Sequence, residues 1–405
     1  MKSADIIIVG AGALGTALAY NLAIRSNLSI ALLDSHQPGS QTSPRAAGMV
    51  SLLRKSASMI RLIKRARVKI ETFTRDLDQP LMWENSGSLK IARRPEDDAV
   101  LDGDLKRAIE NGLNVERISP DEGARLNPFL RPEGITGILH IHDDCYFEPQ
   151  QIATGYAAAA VRHGVHLLPN TPAIDIVTSR NKVVGVKTPR GQINTPYVVD
   201  AAGAWSRQIA AKCRIDLPLI PTRHQAIITE PLDGASAKTP MVRIMDAAVY
   251  TRTYGKGLLW GVFEENPRTL SSQDLDSSFD TADLSLDLSI MKAAAKDVRE
   301  QLPVLEKVGV ATLRGGLPTM TPDGRHLLGP SPGLDGFYFA SGCNVAGLSI
   351  APAIGEGMAS WILEGTPPSD FKSMHADRFA EAEDEDEADV VANCRKQYRH
   401  FYGSA

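Results

Sequence analysis

The segment Asp5-Ile-Ile-Ile-Val-Gly-Ala-Gly-Ala-Leu-Gly15, with Ala31-Leu-Leu-Asp34 a helix length further on, restricts the possible folds more than any other part of the chain. Residues 6–9 are uninterruptedly apolar, as a strand buried on both faces requires. Gly10 suits the tight turn that follows. Gly12 lets backbone come close to a pyrophosphate, and Gly15 lets a helix sit close to the strand. The spacing predicts a helix over 13–25. Ala13 and Leu14 open it, and its free N–H groups carry about half a positive charge toward a bound phosphate. Asp34 falls roughly 20 residues on, where a carboxylate can accept both hydroxyls of an adenosine ribose. The glycine pattern alone is weak, but two strands, a helix and an acid at this spacing describe a dinucleotide site and point to a redox enzyme.

The rest of the composition narrows the class. At 405 residues the chain is long enough for two domains and a well-buried core. A net charge of -4 gives no nucleic-acid or anionic-membrane signal. No apolar run approaches the roughly 20 residues of a membrane span. The chain enters its first strand at once, leaving no room for a signal peptide. Cys145, Cys213, Cys343 and Cys394 are scattered and read as reduced thiols, so a cytoplasmic protein is expected. Residues 271–289, rich in Ser and Asp, read as a surface excursion before a helix over 288–301. The acidic run 381–389 reads as a solvated helix face or loose tail, with a partner-docking surface as the sharper alternative.

Further motifs lie in the second half. A helix is expected over 152–163, then strands over 164–168, 174–177, 183–188 and 193–200. The last strand runs into Asp200-Ala-Ala-Gly-Ala-Trp-Ser206, whose small residues allow backbone to approach a flat ligand. Gly336-Phe-Tyr-Phe-Ala-Ser-Gly-Cys-Asn-Val-Ala-Gly347 reads as a strand entering a glycine turn, followed by a helix over 351–363 that could hold a ring edge or phosphate. His140 and His142 share one face of a strand and precede Asp143 and Asp144. No third ligand is evident, so no metal is expected.

Together with Ala46-Ala-Gly48, Thr321-Pro-Asp-Gly324, Gly342, Gly355 and the closing Tyr398-Arg-His-Phe-Tyr402, these motifs resemble the flavoprotein family of D-amino-acid, glycine and sarcosine oxidases. The flavin part of dimethylglycine-dehydrogenase-like enzymes is the nearest branch. The resemblance implies FAD rather than NAD. It also implies a Rossmann-like α/β domain (mostly parallel sheet, helices on both faces) from 1–85, 148–215 and 318–370. An antiparallel-sheet substrate domain is expected from 86–147 and 216–317, and a tail from 371–405. FAD contacts are expected from Gly10, Gly12, Ala13, Leu14, Gly15, Asp34, Arg45, Ala46, Ala47, Gly48, Ala173, Ala202, Gly203, Trp205, Gly342, Asn344, Gly347 and Leu348. Tyr250 and Arg54 are the candidates to meet a substrate carboxylate, with a packed strand tyrosine and a surface arginine as the alternatives. His224 and Gln225 are read as structural.

Four departures from the family pattern carry expectations. Arg45 stands where a flavin-tethering histidine precedes Ala-Ala-Gly, and Gly316 stands near the place of a tethering cysteine, so FAD is expected to be non-covalent. Leu259 replaces an oxygen-activating lysine, which suggests a slow oxidase or a dehydrogenase using another electron carrier. Pro318 replaces a carboxylate-binding arginine, which disfavours glycine or a simple D-amino acid. The folate-binding half that continues dimethylglycine dehydrogenases is expected to be absent, and a second subunit is conceivable. The implied reaction is oxidation of a secondary or tertiary amine by hydride transfer, giving an imine that hydrolyses. Oxidation of a free amino acid, a proline-type ring or a 2-hydroxy acid, and a non-catalytic flavin subunit, are the alternatives.

Overall fold

The computed structural model describes residues 1–276, 278–379 and 386–402. One six-stranded sheet is built around Ile6–Val9, which pairs in parallel with Ile30–Leu33 on one side and Val198–Asp200 on the other. His166–Leu168 and Phe337–Ser341 extend it, again in parallel, and the edge strand Leu327–Pro330 runs antiparallel. All four residues of Ile6–Val9 are buried because both faces are covered. Ile6 and Ile8 join a core with the helices Ala13–Ala23, Pro149–Arg162 and Gly347–Glu364. Ile7 and Val9 face a small antiparallel sheet of Asp175–Ser179, Lys182–Thr188 and Gly191–Asn194, together with the short helix Ser206–Ala211.

The second sheet has eight strands, antiparallel except where Met241–Ile244 lies parallel to Ser88–Ala92. One face is apolar, with Ile91, Val242, Leu258 and Trp260 under the helix Leu288–Asp297. The other face carries Tyr250 and Leu259 and turns toward Phe263 and the C-terminal helix Glu387–Arg399. The guanidinium of Arg252, stacked over Tyr146 at 4.7 Å, donates to the carbonyl of Ala47.

Local departures from the sequence reading have physical causes. The expected strand 193–200 is two strands in different sheets, broken at Pro196, which has no N–H to contribute to a ladder. The helix expected over 351–363 begins earlier, at Gly347, and carries Pro352 inside it. Asn344 and Val345 take positive φ values of 43° and 62° and turn the chain into that helix ahead of the proline. The helices expected to end at 25 and 301 end at Ala23 and Asp297. Residues 381–385 of the acidic run lie outside the described residues. The rest begins the helix Glu387–Arg399, where Asp386 accepts from the N–H of Ala388 at 3.1 Å and acids complement the helix dipole. Among the described residues, no helix is long and apolar enough to cross a membrane.

Candidate active site

A single cavity of about 570 Å3 runs from the glycine turn of the first sheet to the Tyr250 face of the second. At its nucleotide end, Gly10 has φ +108°, and a Cβ there would lie 2.3 Å from the carbonyl oxygen of Ala201. The turn therefore exists only with glycine. Gly12 caps the helix Ala13–Ala23 without a side chain, leaving the helix start facing the cavity. Ser43 accepts from the N–H of Ala13 at 3.1 Å and holds the next loop against this turn. Asp34 accepts from the N–H groups of Ala11 (2.6 Å) and His36 (2.7 Å). Burial nevertheless raises its carboxyl above the usual range, the condition of an acid still short of solvating partners. Two ribose hydroxyls would supply them. Trp205 stands beside His36, with ring centroids 5.9 Å apart, so it flanks the ribose end rather than the far end.

Ala46, Ala47, Gly48, Ala173, Ala202, Gly203, Gly347 and Leu348 line the same cavity, as do Ala13 and Leu14. Gly48 (φ +71°) lies so close to Phe147 that a Cβ would sit 2.1 Å from its carbonyl oxygen. Three expected cofactor residues do not line it. Gly15 packs against Gly10, where a Cβ would lie 1.9 Å from the carbonyl oxygen, so it closes the helix onto the strand. Gly342 is a left-handed turn residue at φ +64°. Asn344 is buried, its amide bonded to the Gly342 carbonyl (2.7 Å) and to Thr321. It shapes the turn. Arg45 lines the cavity but donates to the carbonyls of Ser40 and Gln41 and lies 3.8 Å from Asp280. Its first role is to hold that loop.

The opposite end is aromatic. Tyr250, Phe263, Phe401 and Tyr402 line it, with His224 and Arg54. Arg54 is no surface arginine. It is half-buried on the cavity wall, its Nε is buried with no hydrogen-bond partner among the described residues, and desolvation lowers its guanidinium to about 10. A guanidinium so placed has the chemistry to receive an anion. Tyr250 is buried on the strand Val249–Tyr254, directly opposite Gly261, where a Cβ would lie 2.3 Å from the phenol oxygen. The ring occupies space that only glycine leaves open. Leu259, two residues earlier, is buried in the apolar cluster with Phe263 and Met320 and brings no charge. Pro318 and Gly316 line the cavity.

His224, read as structural, also lines the cavity. Its Nε2 lies 2.8 Å from the Tyr250 hydroxyl and its Nδ1 lies 2.7 Å from the Tyr398 hydroxyl. Burial drops its imidazolium to about 4, so the ring is neutral, with one donor and one acceptor nitrogen. One of the two phenols therefore donates to the ring and the other accepts from it. Gln225, in contrast, is structural: its side-chain oxygen accepts from the N–H of Asp287 at 2.8 Å. The missed partner, Tyr398, lies 174 positions from His224. The aromatic cluster Tyr398-Arg-His-Phe-Tyr402 was the one sequence signal that could have located it.

The Gly10–Gly12 turn, the acid at Asp34 and the second helix start at Gly347 fit an adenine dinucleotide. The cavity then continues past the turn to a buried, aromatic end, as a flavin with a substrate beyond it requires. Comparison with known proteins agrees. Human sarcosine dehydrogenase, a mitochondrial protein, is 29% identical over 389 residues, 93% of this chain and 42% of that protein. The mouse mitochondrial pyruvate dehydrogenase phosphatase regulatory subunit is 27% identical over 384 residues, 93% of this chain and 43% of that protein. The chain thus spans less than half the length of these relatives. The crystal structure of L-proline dehydrogenase from P. horikoshii superposes with a TM-score of 0.85 at 23% identity, covering 94% of this chain and 99% of that one, and shows the same fold. The family described as DAO, FAD dependent oxidoreductase, matches residues 5–361, and the chain belongs to it, with FAD as its cofactor.

Proposed function

We propose that this chain oxidises a secondary or tertiary amine that carries a carboxylate, an N-substituted amino acid of the N-methyl or opine type. The observation that carries the reading is Arg54, whose buried Nε is unpaired among the described residues, on the same cavity as the Tyr250 hydroxyl and the rings of Phe263, Phe401 and Tyr402. Arg54 and Tyr250 would take the carboxylate, and the aromatic rings would pack against the N-alkyl group and keep out water. FAD, when bound, supplies the two-electron acceptor. The protein's part is to hold the α C–H toward it and to admit the amine in its neutral form. The imine, or for a tertiary amine the iminium ion, then hydrolyses in water to an amine and a carbonyl compound. The likeness to sarcosine dehydrogenase, named for an N-methyl amino acid, supports this substrate class. A 2-hydroxy acid would need a base for its hydroxyl proton, but the imidazole beside Tyr250 is already engaged at both nitrogens.

FAD would be held non-covalently, since Arg45 and Gly316 offer no nucleophile to the ring. The buried Leu259 supports slow reaction with oxygen and transfer of electrons to another carrier. Anaerobic titration of the yellow protein with a panel of amines tests the substrate class. Bleaching by N-alkyl amino acids supports the reading. Bleaching only by primary amino acids, proline or 2-hydroxy acids replaces the substrate. No bleaching by any of them moves the chain toward a non-catalytic flavin subunit; one relative is named as a regulatory subunit. Acid precipitation should leave the flavin in the supernatant, and stopped-flow reoxidation in air should be slow.

A further inference from the structure

We propose that Glu116, His140 and His142 form a binding site for one divalent transition-metal ion of the Zn2+ class, at the outer edge of the eight-stranded sheet. The third ligand that the sequence did not reveal comes from the neighbouring strand. Val115–Ile118 pairs antiparallel with Gly137–Ile141, and Glu116 falls directly opposite His140. His142 follows two residues later, on the same face as His140. One ligand atom from each of the three lies within 4.8 Å of the others. The two imidazoles stand with centroids 3.9 Å apart, and His142 Nε2 lies 2.8 Å from Glu116 Oε1. Neither ring nitrogen of His140 has a hydrogen-bond partner among the described residues, although the residue is buried. A side chain in that state retains its full capacity as a ligand.

The site is also braced. The N–H of His142 donates to the carbonyl of Asn114 at 3.0 Å, and Gly87 closes on His140, where a Cβ would lie 3.1 Å from Nε2. Bonds of about 2.0–2.2 Å to two imidazoles and a carboxylate need the ligand atoms somewhat closer together than they stand, a shift within reach of side-chain torsions. Two nitrogen ligands select Zn2+, Co2+ or Ni2+ over Mg2+ and Ca2+. Three protein ligands leave a further position for water. The ion would pin the edge strand to the turn that leads into Asp144, whose carboxylate holds Arg243 (3.0 Å), Ser88 (2.6 Å) and the N–H of Leu52 (2.7 Å).

The test is calorimetric titration of ZnCl2 into tag-free, chelator-stripped holoenzyme that keeps its FAD, with MgCl2 as the control. One saturable equivalent of Zn2+, no Mg2+ binding and a rise in melting temperature are expected. His142→Ala and Glu116→Gln, both at partly exposed positions, should each weaken binding at least ~10-fold and abolish the rise in melting temperature. Their flavin spectra and metal-free melting should match the parent. If His142→Ala folds poorly, Glu116→Gln carries the comparison. Absence of saturable binding, or variants that bind Zn2+ as tightly as the parent, overturns the site.

Discussion

Replacing Arg54 by glutamine separates a receptor for the substrate carboxylate from a merely buried cation. Arg54 is half-buried with its Nε out of reach of solvent, and lowering its guanidinium to about 10 from its ordinary value corresponds to a cost of up to about 3 kcal/mol for keeping the charge at neutral pH. Asp144 opposes that cost at a distance, while Arg243 adds to it. A bound carboxylate would recover part of it through charge-assisted hydrogen bonds contributing about 1.5–3 kcal/mol. Arg54→Gln should therefore raise the dissociation constant of a non-oxidisable monocarboxylate about 10- to 150-fold. Ligand-free stability should not fall, because an uncompensated charge has been removed from the interior. Arg54→Lys should fall between the two, keeping the charge but losing the fork. The assay is perturbation of flavin absorbance by the carboxylate, with thermal melting alongside. If Arg54→Gln binds it within about threefold of the parent, the guanidinium does not face the ligand and the assignment of the substrate end fails.

Other consequences are open to measurement. Gly261→Ala places a methyl 2.3 Å from the Tyr250 oxygen; overpacking of about 1–3 kcal/mol should push the ring off His224 and lower kcat/KM about 10- to 100-fold while the flavin spectrum survives. Gly10→Ala meets the Ala201 carbonyl at 2.3 Å and should yield a protein that purifies colourless. His224 is held down near 4 and His326 near 3, both by burial. Each folded value lies below the unfolded one, so the stability these residues carry is present above about pH 6.5 and drains away as the pH falls toward 4; chemical denaturation at stepped pH should show this, and the slope should shrink in His326→Gln. Asp200 works in the opposite sense. Burial lifts its carboxyl to about 7 and one of its oxygens has no partner among the described residues, so Asp200→Asn should gain stability relative to the parent at pH 8 and little at pH 4.

What could be read from the chain in advance was local chemistry with strict steric demands. The turn at Gly10 to Gly15 and the acid at Asp34 lie within one βαβ stretch, where spacing alone fixes their relation. Ala202, Gly203, Gly347 and Leu348 were legible because small residues after an apolar strand have few other uses. Gly342 and Asn344, expected on the same reasoning, form the turn and do not line the cavity. The substrate end resisted sequence reading because its parts come from distant strands. Tyr250 depends on the glycine across the sheet at 261, and His224 acquires its role only once Tyr398 folds back over it. Pairing of Glu116 with His140 was likewise invisible, since strand register is a property of the assembled sheet.

The central strand Ile6–Val9 acquires its neighbour Val198–Asp200 only after nearly two hundred residues of chain, and Phe337–Ser341 joins beyond that. The phosphate-facing turn at the start of the chain and the helix that opens at Gly347 belong to one cradle. During synthesis on the ribosome, this cradle stays unfinished until the later helix has emerged. Cofactor uptake is therefore a late event, and bound yellow colour reports that distant parts of the polypeptide have closed on one another.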